Sequence, residues 1–262
     1  MIETLKEYIP YWLIKTHRNI FKKWESRKFK GNKVLCPICN SSYNSFATYR
    51  PSGRKNIRCI NCRSLPRHRL LYFFLKHRTN IFSKDTKLRL LHFAPELQFF
   101  QLLANKGNIA YTSCDISPNS HDFRDIAGIQ KADITSLPFA DNSFDVILCN
   151  HVLEHVIDDN KAMCELYRVM APGGWGVFQV PLIFKNEHTY EDASITEPKE
   201  RKKAFGQFDH VRVYGRDYLD RLSAAGFEVT ANRYAENFTD HDVLRFGLNP
   251  YERIVLCNKP AL

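Results

Sequence analysis

The sequence predicts an α/β fold: a doubly wound, mostly parallel, seven-stranded sheet behind a small N-terminal module. From Lys87 onward, apolar runs of strand length alternate with helical segments, the pattern from which parallel sheets are built. Phe144–Cys149 is a near-continuous apolar run, which is typical of a parallel strand covered on both faces. Two Cys-x2-Cys pairs precede this region and indicate a separate cysteine-rich module.

Seven short apolar segments supply the predicted strands. They are Lys87–Phe93, Ile109–Cys114, Ile129–Ile134, Phe144–Cys149, Trp175–Val180, Phe227–Ala231 and Glu252–Cys257. Helices are predicted between them at Glu96–Asn105, Asp158–Met170 and Arg216–Ala225. A Pro-Gly-Gly turn introduces the fifth strand, and Gly226 ends the last helix because glycine is favoured just past a helix terminus.

The chain divides into four predicted regions. Residues 1–30 form a basic amphipathic helix, 31–65 the cysteine-rich module, 66–86 a connecting helix, and 87–262 the α/β domain with a polar insertion at about 185–214.

The N-terminal helix is predicted to begin near Pro10, a residue favoured in the first helical turn. Its apolar residues gather on one face, with lysine and arginine opposite. They are Ile9, Trp12, Leu13, Ile20 and Trp24. Tryptophan and tyrosine among basic residues are typical of a helix lying in a membrane interface. The alternative is a helix packed on its own domain.

The two cysteine pairs predict a structural zinc site in a zinc ribbon. The ligands are Cys36, Cys39, Cys59 and Cys62. Each pair places two sulfurs on one tight turn, and four thiolates in a tetrahedral array suit Zn²⁺ while leaving no open position for catalysis. Redox-active cysteines or disulfides are the alternatives. His68 is a substitute ligand candidate, although its surroundings favour an ordinary helix residue.

Charge is distributed unevenly along the chain. The first 87 residues contain 20 Lys/Arg and 4 Asp/Glu, a balance of +16, whereas the remainder has a balance of −6, which gives the net +10. A basic front predicts an anionic partner: nucleic acid, an anionic membrane surface or an anionic glycan. No apolar run is long enough to cross a bilayer, and the N-terminus lacks the pattern of a signal peptide. We therefore predict a cytoplasmic location, with peripheral attachment at the inner membrane surface as a hypothesis.

The segment Leu137–His155, LPFADNSFDVILCNHVLEH, is followed by RVMAPGGWGVF at 168–178. These motifs, at this spacing, resemble the fourth and fifth strands of class I S-adenosylmethionine (SAM) methyltransferases of the type 11 kind. The resemblance covers about residues 87–258. It implies a Rossmann-like sheet whose last strand is antiparallel between the fifth and sixth, and it implies SAM as cofactor.

The resemblance also implies positions for the cofactor's parts. Asp115, followed by Ile116, would accept both ribose hydroxyls at the end of the second strand. The alternative for Asp115 is a turn-capping role before Ser117. After the third strand, Asp133 and Ile134 would meet the adenine amino group and ring.

At the fourth strand, the resemblance places Asn150 and His151 beneath the methionine part of SAM. The first strand departs from the family pattern. His92 replaces the usual acid, and Ala94, Pro95 and Glu96 replace the glycine-rich loop. Glu96 would either meet the cofactor's ammonium group or stabilise the following helix terminus.

Two histidines are the predicted catalytic bases, since histidine accepts a proton near neutral pH. His155 follows His151 by four residues, which predicts one shared helix face. The order of histidine and glutamate in HVLEH differs from the H-E-x-x-H motif of zinc proteases, so we do not predict a catalytic metal. His210 lies in the lid insertion with Asp209 and Arg212, and Arg212 suggests an anionic acceptor. The alternative pairs Asp209 with Arg212 and leaves His210 on the surface.

Three functions follow as hypotheses. The first is a SAM-dependent methyltransferase acting on a small-molecule or glycan-linked acceptor, at oxygen. The second is an RNA methyltransferase whose basic ribbon binds phosphates, although the N/D-P-P-[YF] motif of base amino-group methylation is missing after the fourth strand. The third is a non-catalytic adaptor on a methyltransferase fold.

Overall fold

In the computed structural model of the protein, residues 10–120 and 123–261 are described. The chain forms two compact units. One contains Met1–Thr79 and Tyr234–Glu252, and the other contains Asn80–Arg233 and Arg253–Leu262. Within the described ranges, no helix is both long and apolar enough to cross a membrane.

The first unit combines helices with two small hairpins. Its helices are Tyr11–Lys28, Pro66–Arg78 and Asp240–Phe246, with a 3-10 turn at Tyr234–Asn237. Its strands are β1 (Val34–Cys36), β2 (Ser41–Tyr43), β3 (Ala47–Tyr49) and β4 (Arg54–Arg58). β1 pairs with β2 and β3 with β4, both antiparallel, and the β3–β4 hairpin lies between the two cysteine pairs in sequence.

The segment Tyr234–Glu252 groups with the N-terminal unit, whereas the sequence places it in the α/β domain. Aromatic side chains account for this difference. Phe73 lies 5.0 Å from Phe238 and 5.0 Å from Phe246 between ring centroids, and Phe74 lies 5.3 Å from Tyr234. These contacts join residues far apart in sequence, so no local pattern predicts them.

The helix Tyr11–Lys28 contacts its own unit through only part of its surface. Glu25 forms an ion pair with Arg58 at 2.6 Å, and the Arg50 guanidinium lies 4.3 Å from the Phe21 ring centroid. The predicted apolar face, by contrast, is open to solvent, since Trp12 and Ile20 are 65% and 64% exposed. Ile9 lies outside the described residues.

The second unit is built on nine strands. They are β5 (Leu88–Phe93), β6 (Ile109–Asp115), β7 (Gln130–Lys131), β8 (Phe144–Asn150), β9 (Met170–Gln179), β10 (Tyr190–Glu191), β11 (Arg212–Val213), β12 (Glu228–Asn232) and β13 (Ile254–Asn258). Seven form one sheet in the order β12-β13-β9-β8-β5-β6-β7. All run parallel except β13, which is antiparallel to both neighbours. The predicted fold class and the antiparallel last strand are therefore confirmed.

Among the residues that the structure describes, four α-helices complete this unit. They are Leu97–Leu103, Asp159–Val169, Pro198–Phe205 and Asp217–Ala224. The central strand β8 is buried along nearly its whole length, as its apolar sequence predicts. The predicted third strand is shorter than expected, and β9 begins before the Pro-Gly-Gly turn, where Gly173 takes a φ of +75°.

The insertion after β9 forms its own small structure. β10 and β11 pair antiparallel, and the helix Pro198–Phe205 lies between them in sequence. Tyr214 then bridges to Leu182 in parallel. The end of the insertion therefore lies next to the carboxyl edge of the sheet, just before the helix Asp217–Ala224 begins.

Candidate active site

The carboxyl ends of the parallel strands β5, β6, β8 and β9 meet at one edge of the sheet. In open α/β sheets the ligand crevice lies at this edge. Each predicted cofactor residue is the last residue of one of these strands or lies shortly after the end of β5, β6, β7 or β8.

The loop after β5 reproduces part of what a glycine would provide. Ala94 takes a φ of +43°, in the left-handed region, and its N–H donates to the Cys114 carbonyl at 3.0 Å. Alanine is the smallest residue that carries a Cβ, so this strained turn keeps the backbone open to a ligand. Pro95 is buried and Glu96 directly precedes the helix Leu97–Leu103.

A hydrogen-bond network replaces the family's usual acid. His92 is fully buried, and its Nε2 donates to Glu96 Oε2 at 2.9 Å. The Tyr111 hydroxyl lies 2.8 Å from His92 Nδ1, and burial raises the pKa of Tyr111. The Asn150 side-chain amide donates to the same Glu96 oxygen at 3.3 Å. Glu96 makes no side-chain cap to its helix, so its carboxylate is directed into the network instead.

Asn150 carries an orphaned polar atom. The residue is 4% exposed, and its Oδ1 has no hydrogen-bond partner among the described residues. A buried carbonyl oxygen without a donor is costly, which points to a ligand group that donates to it. The next residue, His151, takes a φ of +56° and donates its backbone N–H to Gln179 at 2.7 Å.

Asp115 lies at the last position of β6. Its Oδ1 accepts the Ser117 backbone N–H at 2.7 Å, so the turn-capping role weighed from the sequence is present. Ile116 beside it is 56% exposed, an apolar side chain held at the ligand edge.

Asp133 and Ile134 differ from each other in environment. Asp133 is exposed, and hydrogen bonds from the Thr135 backbone and hydroxyl lower the pKa of its carboxyl group. Ile134 is 6% exposed and belongs to the core of the sheet. The predicted adenine contacts of both residues stay predictions.

The HVLEH segment is not an α-helix, so the predicted shared helix face of His151 and His155 is wrong. The left-handed backbone at His151 breaks the path, and only a short 3-10 turn follows at Leu153–His155. His151 Nδ1 lies 3.3 Å from Glu154 Oε1 instead.

The two predicted bases lie together. The rings of His155 and His210 are edge to face, with centroids 4.7 Å apart. His210 is 8% exposed, which contradicts a surface position, and burial lowers its pKa. His155 Nδ1 lies 3.4 Å from Asp209 Oδ2. Glu154, absent from our sequence prediction, lies beside both histidines and is 1% exposed.

Arg212 has a structural role. Its guanidinium donates to the carbonyls of Leu153, Val156 and Ile157 and pairs with Glu191 at 2.8 Å. The predicted alternative of an Asp209–Arg212 pair is therefore wrong. Arg212 instead fixes the turn that carries Glu154 and His155 against the insertion that carries His210, and its donors are occupied by protein groups.

The four cysteines of the first unit converge. Cys36 Sγ lies 3.6 Å from Cys62 Sγ, Cys39 Sγ lies 3.6 Å from Cys59 Sγ, and all four sulfurs lie within 4.8 Å of one another. Four thiolates about 2.3 Å from a tetrahedral zinc ion would be separated by about 3.8 Å. All eight cysteines are free, so none forms the alternative disulfides. The donor set and its spacing fit Zn²⁺.

A buried arginine lies beside this cluster. Arg69 is fully buried, and its guanidinium donates to the Ser64, Phe246 and Gly247 carbonyls at 2.8, 2.7 and 2.6 Å. Burial lowers the pKa of Arg69 to about 10, while the cysteines act in the opposite direction. No carboxylate pairs with it within the described ranges. His68 caps its own helix by accepting the Leu65 N–H and is not a member of the sulfur cluster.

Residues 96–178 match the protein-family profile described as "Methyltransferase domain". The chain is 37% identical over 123 residues to Ubiquinone/menaquinone biosynthesis C-methyltransferase UbiE of Geotalea daltonii, covering 46% of this chain and 52% of that protein. It is 50% identical over 42 residues to Demethylmenaquinone methyltransferase of Renibacterium salmoninarum, covering 16% and 18%. The chain thus spans about half or less of the length of these relatives.

Among solved structures, the S-adenosylmethionine dependent methyltransferase of Mesorhizobium loti aligns with 72% of this chain and 96% of its own, at 16% identity and a TM-score of 0.49. The [4+2]-cyclase SpnF aligns with 76% of this chain and 84% of its own, at 17% identity and a TM-score of 0.47. The matched segment, Glu96 to Phe178, lies within the α/β domain predicted at 87–262.

Proposed function

We propose that this protein is a SAM-dependent methyltransferase that transfers a methyl group to oxygen of a small-molecule or glycan-linked acceptor. The observation that carries the proposal is the orphaned, buried Asn150 Oδ1 at the carboxyl edge of β8, inside the segment that matches a methyltransferase domain. A ligand with a hydrogen-bond donor would satisfy this atom, and the ammonium group of SAM is such a donor.

The chain offers a suitable group for each part of SAM. Asp115 and Ile116 would hold the ribose, Asp133 and Ile134 the adenine, and the Glu96 carboxylate together with Asn150 the methionine end. The left-handed turn at Ala94 would let the cofactor approach the backbone. When bound, SAM supplies an electrophilic methyl group on a sulfonium, and the protein contributes alignment of the acceptor.

The cluster of Glu154, His155 and His210 would face the acceptor, because it lies on the turn directly after β8 and on the insertion that returns to it. The hydrogen-bond donors and acceptors of this cluster suit the hydroxyl group of an acceptor molecule. The prediction that His155 or His210 is a general base stays a prediction.

A carbon acceptor is the second candidate. The 37% identical relative from Geotalea daltonii is named a C-methyltransferase, and this likeness is the observation that supports a carbon acceptor. The two candidates differ in the bond formed, so the methylated product separates them directly.

We expect the purified protein to transfer a labelled methyl group from SAM into a component of a fractionated cell extract. Mass spectrometry of the labelled product then gives the acceptor class and whether the new bond is to oxygen or carbon. A protein that binds SAM yet labels no fraction would contradict the proposed catalysis and favour the adaptor hypothesis.

We also propose that the four-cysteine cluster holds a structural zinc ion. Zinc would be coordinated by all four thiolates, with the Ser64 hydroxyl 3.2 Å from Cys36 Sγ as an outer contact. Such a closed site supplies folding energy and no open position for substrate.

We further propose that the helix Tyr11–Lys28 lies on an anionic membrane surface. Trp12, Ile20 and Trp24 are 65%, 64% and 51% exposed, and Glu25 is the only residue of Tyr11–Lys28 that is buried against its own unit. Lys15 and Lys22, also exposed, lie on the opposite face of the helix. Interfacial helices combine aromatic and apolar side chains with basic ones, and anionic lipid complements the +16 balance of the first 87 residues.

Replacing both exposed tryptophans, Trp12→Ser and Trp24→Ser, should lower binding to anionic vesicles by about tenfold or more, since each indole buries ~150–250 Å² in an interface. Vesicle flotation with phosphatidylglycerol-containing and purely phosphatidylcholine vesicles measures this. Phe208→Ser, which removes an exposed aromatic ring from the other unit, is the control and should bind normally. Equal binding of the wild type to both vesicle types would contradict the proposal.

A further inference from the structure

The side chains of Glu154, His155 and His210 surround a small gap. One donor atom from each residue lies within 4.8 Å of the other two. Among the described residues, no two of these three side chains are hydrogen-bonded to each other. Their metal-ligating atoms are therefore close together but not paired. Donor atoms about 2.1 Å from one metal ion lie at most about 4.2 Å apart, so small side-chain movements within the 4.8 Å limit would bring all three onto a single ion.

Both imidazoles are oriented by their other nitrogen. His155 Nδ1 lies 3.2 Å from the Asp209 carbonyl oxygen, and His210 Nδ1 lies 3.3 Å from the Phe205 carbonyl oxygen. A carbonyl oxygen only accepts, so each Nδ1 carries the proton and each Nε2 presents a lone pair. Metal-binding histidines are held in this way, with one nitrogen donating to a carbonyl and the other free for the ion.

Glu154 supplies the negative charge. The residue is 1% exposed, and its Oε2 has no hydrogen-bond partner within the described part of the chain. Its Oε1 lies 3.3 Å from His151 Nδ1. A buried carboxylate oxygen without a partner is unfavourable, and a cation between it and the two imidazoles would compensate it.

We infer that Glu154, His155 and His210 form a binding site for a divalent transition-metal ion such as Zn²⁺. Two imidazoles and one carboxylate are a ligand set for catalytic zinc, which keeps its remaining coordination position open. This site is separate from the four-cysteine cluster in ligand type, in openness and in its place in the chain.

The open coordination position would serve the proposed methyl transfer. This catalytic role rests on the proposed function, whereas metal binding itself does not. A bound divalent ion attracts an acceptor oxygen and favours its deprotonated form. His155 and His210 would then act as metal ligands, and the ion would take the part otherwise expected of a histidine base.

The decisive experiment counts zinc on the full-length protein after equilibrium dialysis, using elemental analysis in the absence of SAM. The wild type should retain one equivalent more than each of Glu154→Gln, His155→Ala and His210→Ala. His188→Ala, which removes an exposed histidine of the same insertion, should retain as much as the wild type. Glu154→Gln preserves shape, so it keeps the test valid where a histidine variant fails to fold.

Cobalt substitution gives an independent readout. The tetrathiolate site produces sulfur-to-metal charge transfer, whereas the second equivalent should add only the weak bands of nitrogen and oxygen ligands, and these should vanish in Glu154→Gln. A wild type that holds no more zinc than Glu154→Gln, or a second equivalent with thiolate bands, overturns the inference. Because neither readout involves methyl transfer, failure here is distinguishable from failure of the proposed function.

Discussion

Replacing Asp115 by alanine is expected to weaken SAM binding by about 100-fold or more. In the proposed complex its carboxylate accepts two ribose hydroxyls, and hydrogen bonds to a charged group contribute about 1.5–3 kcal/mol each. Losing two of them corresponds to at least about two orders of magnitude in Kd. Equilibrium dialysis with radiolabelled SAM measures the change.

Two companion variants separate binding from the local turn. Asp115→Asn keeps an oxygen for the Ser117 backbone N–H, which Asp115 Oδ1 accepts at 2.7 Å, but removes the charge. It should therefore also bind SAM poorly while folding normally. Asp192→Ala removes an aspartate that caps the Ser194 N–H in the same manner, at 2.9 Å, and should bind as the wild type does. Wild-type affinity in Asp115→Asn would contradict the ribose role.

Replacing Arg69 by methionine should destabilise the first unit by about 3–5 kcal/mol, because several buried carbonyl oxygens would lose their hydrogen-bond donor, at about 1–3 kcal/mol each. The guanidinium donates hydrogen bonds to four backbone carbonyls, those of Ile57, Ser64, Phe246 and Gly247. It also lies 4.1 Å from the Phe46 ring centroid. Without it, these buried oxygens lose their donors. A zinc tetrathiolate carries a net negative charge, so we also expect weaker zinc retention.

Thermal unfolding followed by circular dichroism, together with zinc content, checks this expectation. Arg69→Lys should recover only part of the stability, because an ammonium group cannot reproduce the planar fork of donors. Arg54→Met, at an exposed arginine of β4, should change stability by no more than about 0.5 kcal/mol. If Arg69→Met melts at the same temperature as Arg54→Met, the buried cation is not a stabilising centre.

The sheet could be predicted because its signals are local. Phe144–Cys149 is apolar over a strand's length, and it forms the central strand β8 with both faces covered. Asp115 and Asn150 could be placed at strand ends for the same reason, since each follows directly on such a run. Position along a parallel strand fixes which edge of the sheet a residue occupies.

The contents of the site were harder to predict because they depend on distant segments and on unusual backbone angles. The spacing of His151 and His155 suggests a helix, yet the left-handed backbone at His151 prevents one. His210 lies beside His155 because the insertion is tied to the turn after β8, by Arg212 and by the Val211 N–H, which donates to the Glu154 carbonyl. Glu154 lies within the HVLEH motif, so its sequence position was a signal, but its convergence with His210 is a tertiary feature.

The loop after β5 illustrates the same limit. Its sequence lacks the glycines of the family pattern, which suggests a changed backbone. In the structure Ala94 nevertheless adopts the left-handed conformation, and His92, Glu96 and Asn150 form a connected network in place of the usual acid. A substitution of residue type was therefore compensated by backbone geometry and by partners on neighbouring strands.

Titration calorimetry of the wild-type protein with S-adenosylhomocysteine tests the central claim most directly. This demethylated product of SAM carries every group that Asp115, Asp133, Glu96 and Asn150 would hold, and its binding needs no acceptor. We predict saturable binding with one site per chain, abolished in Asp115→Ala and retained in Asp192→Ala. No binding at millimolar ligand would contradict a cofactor site at the carboxyl edge of the sheet.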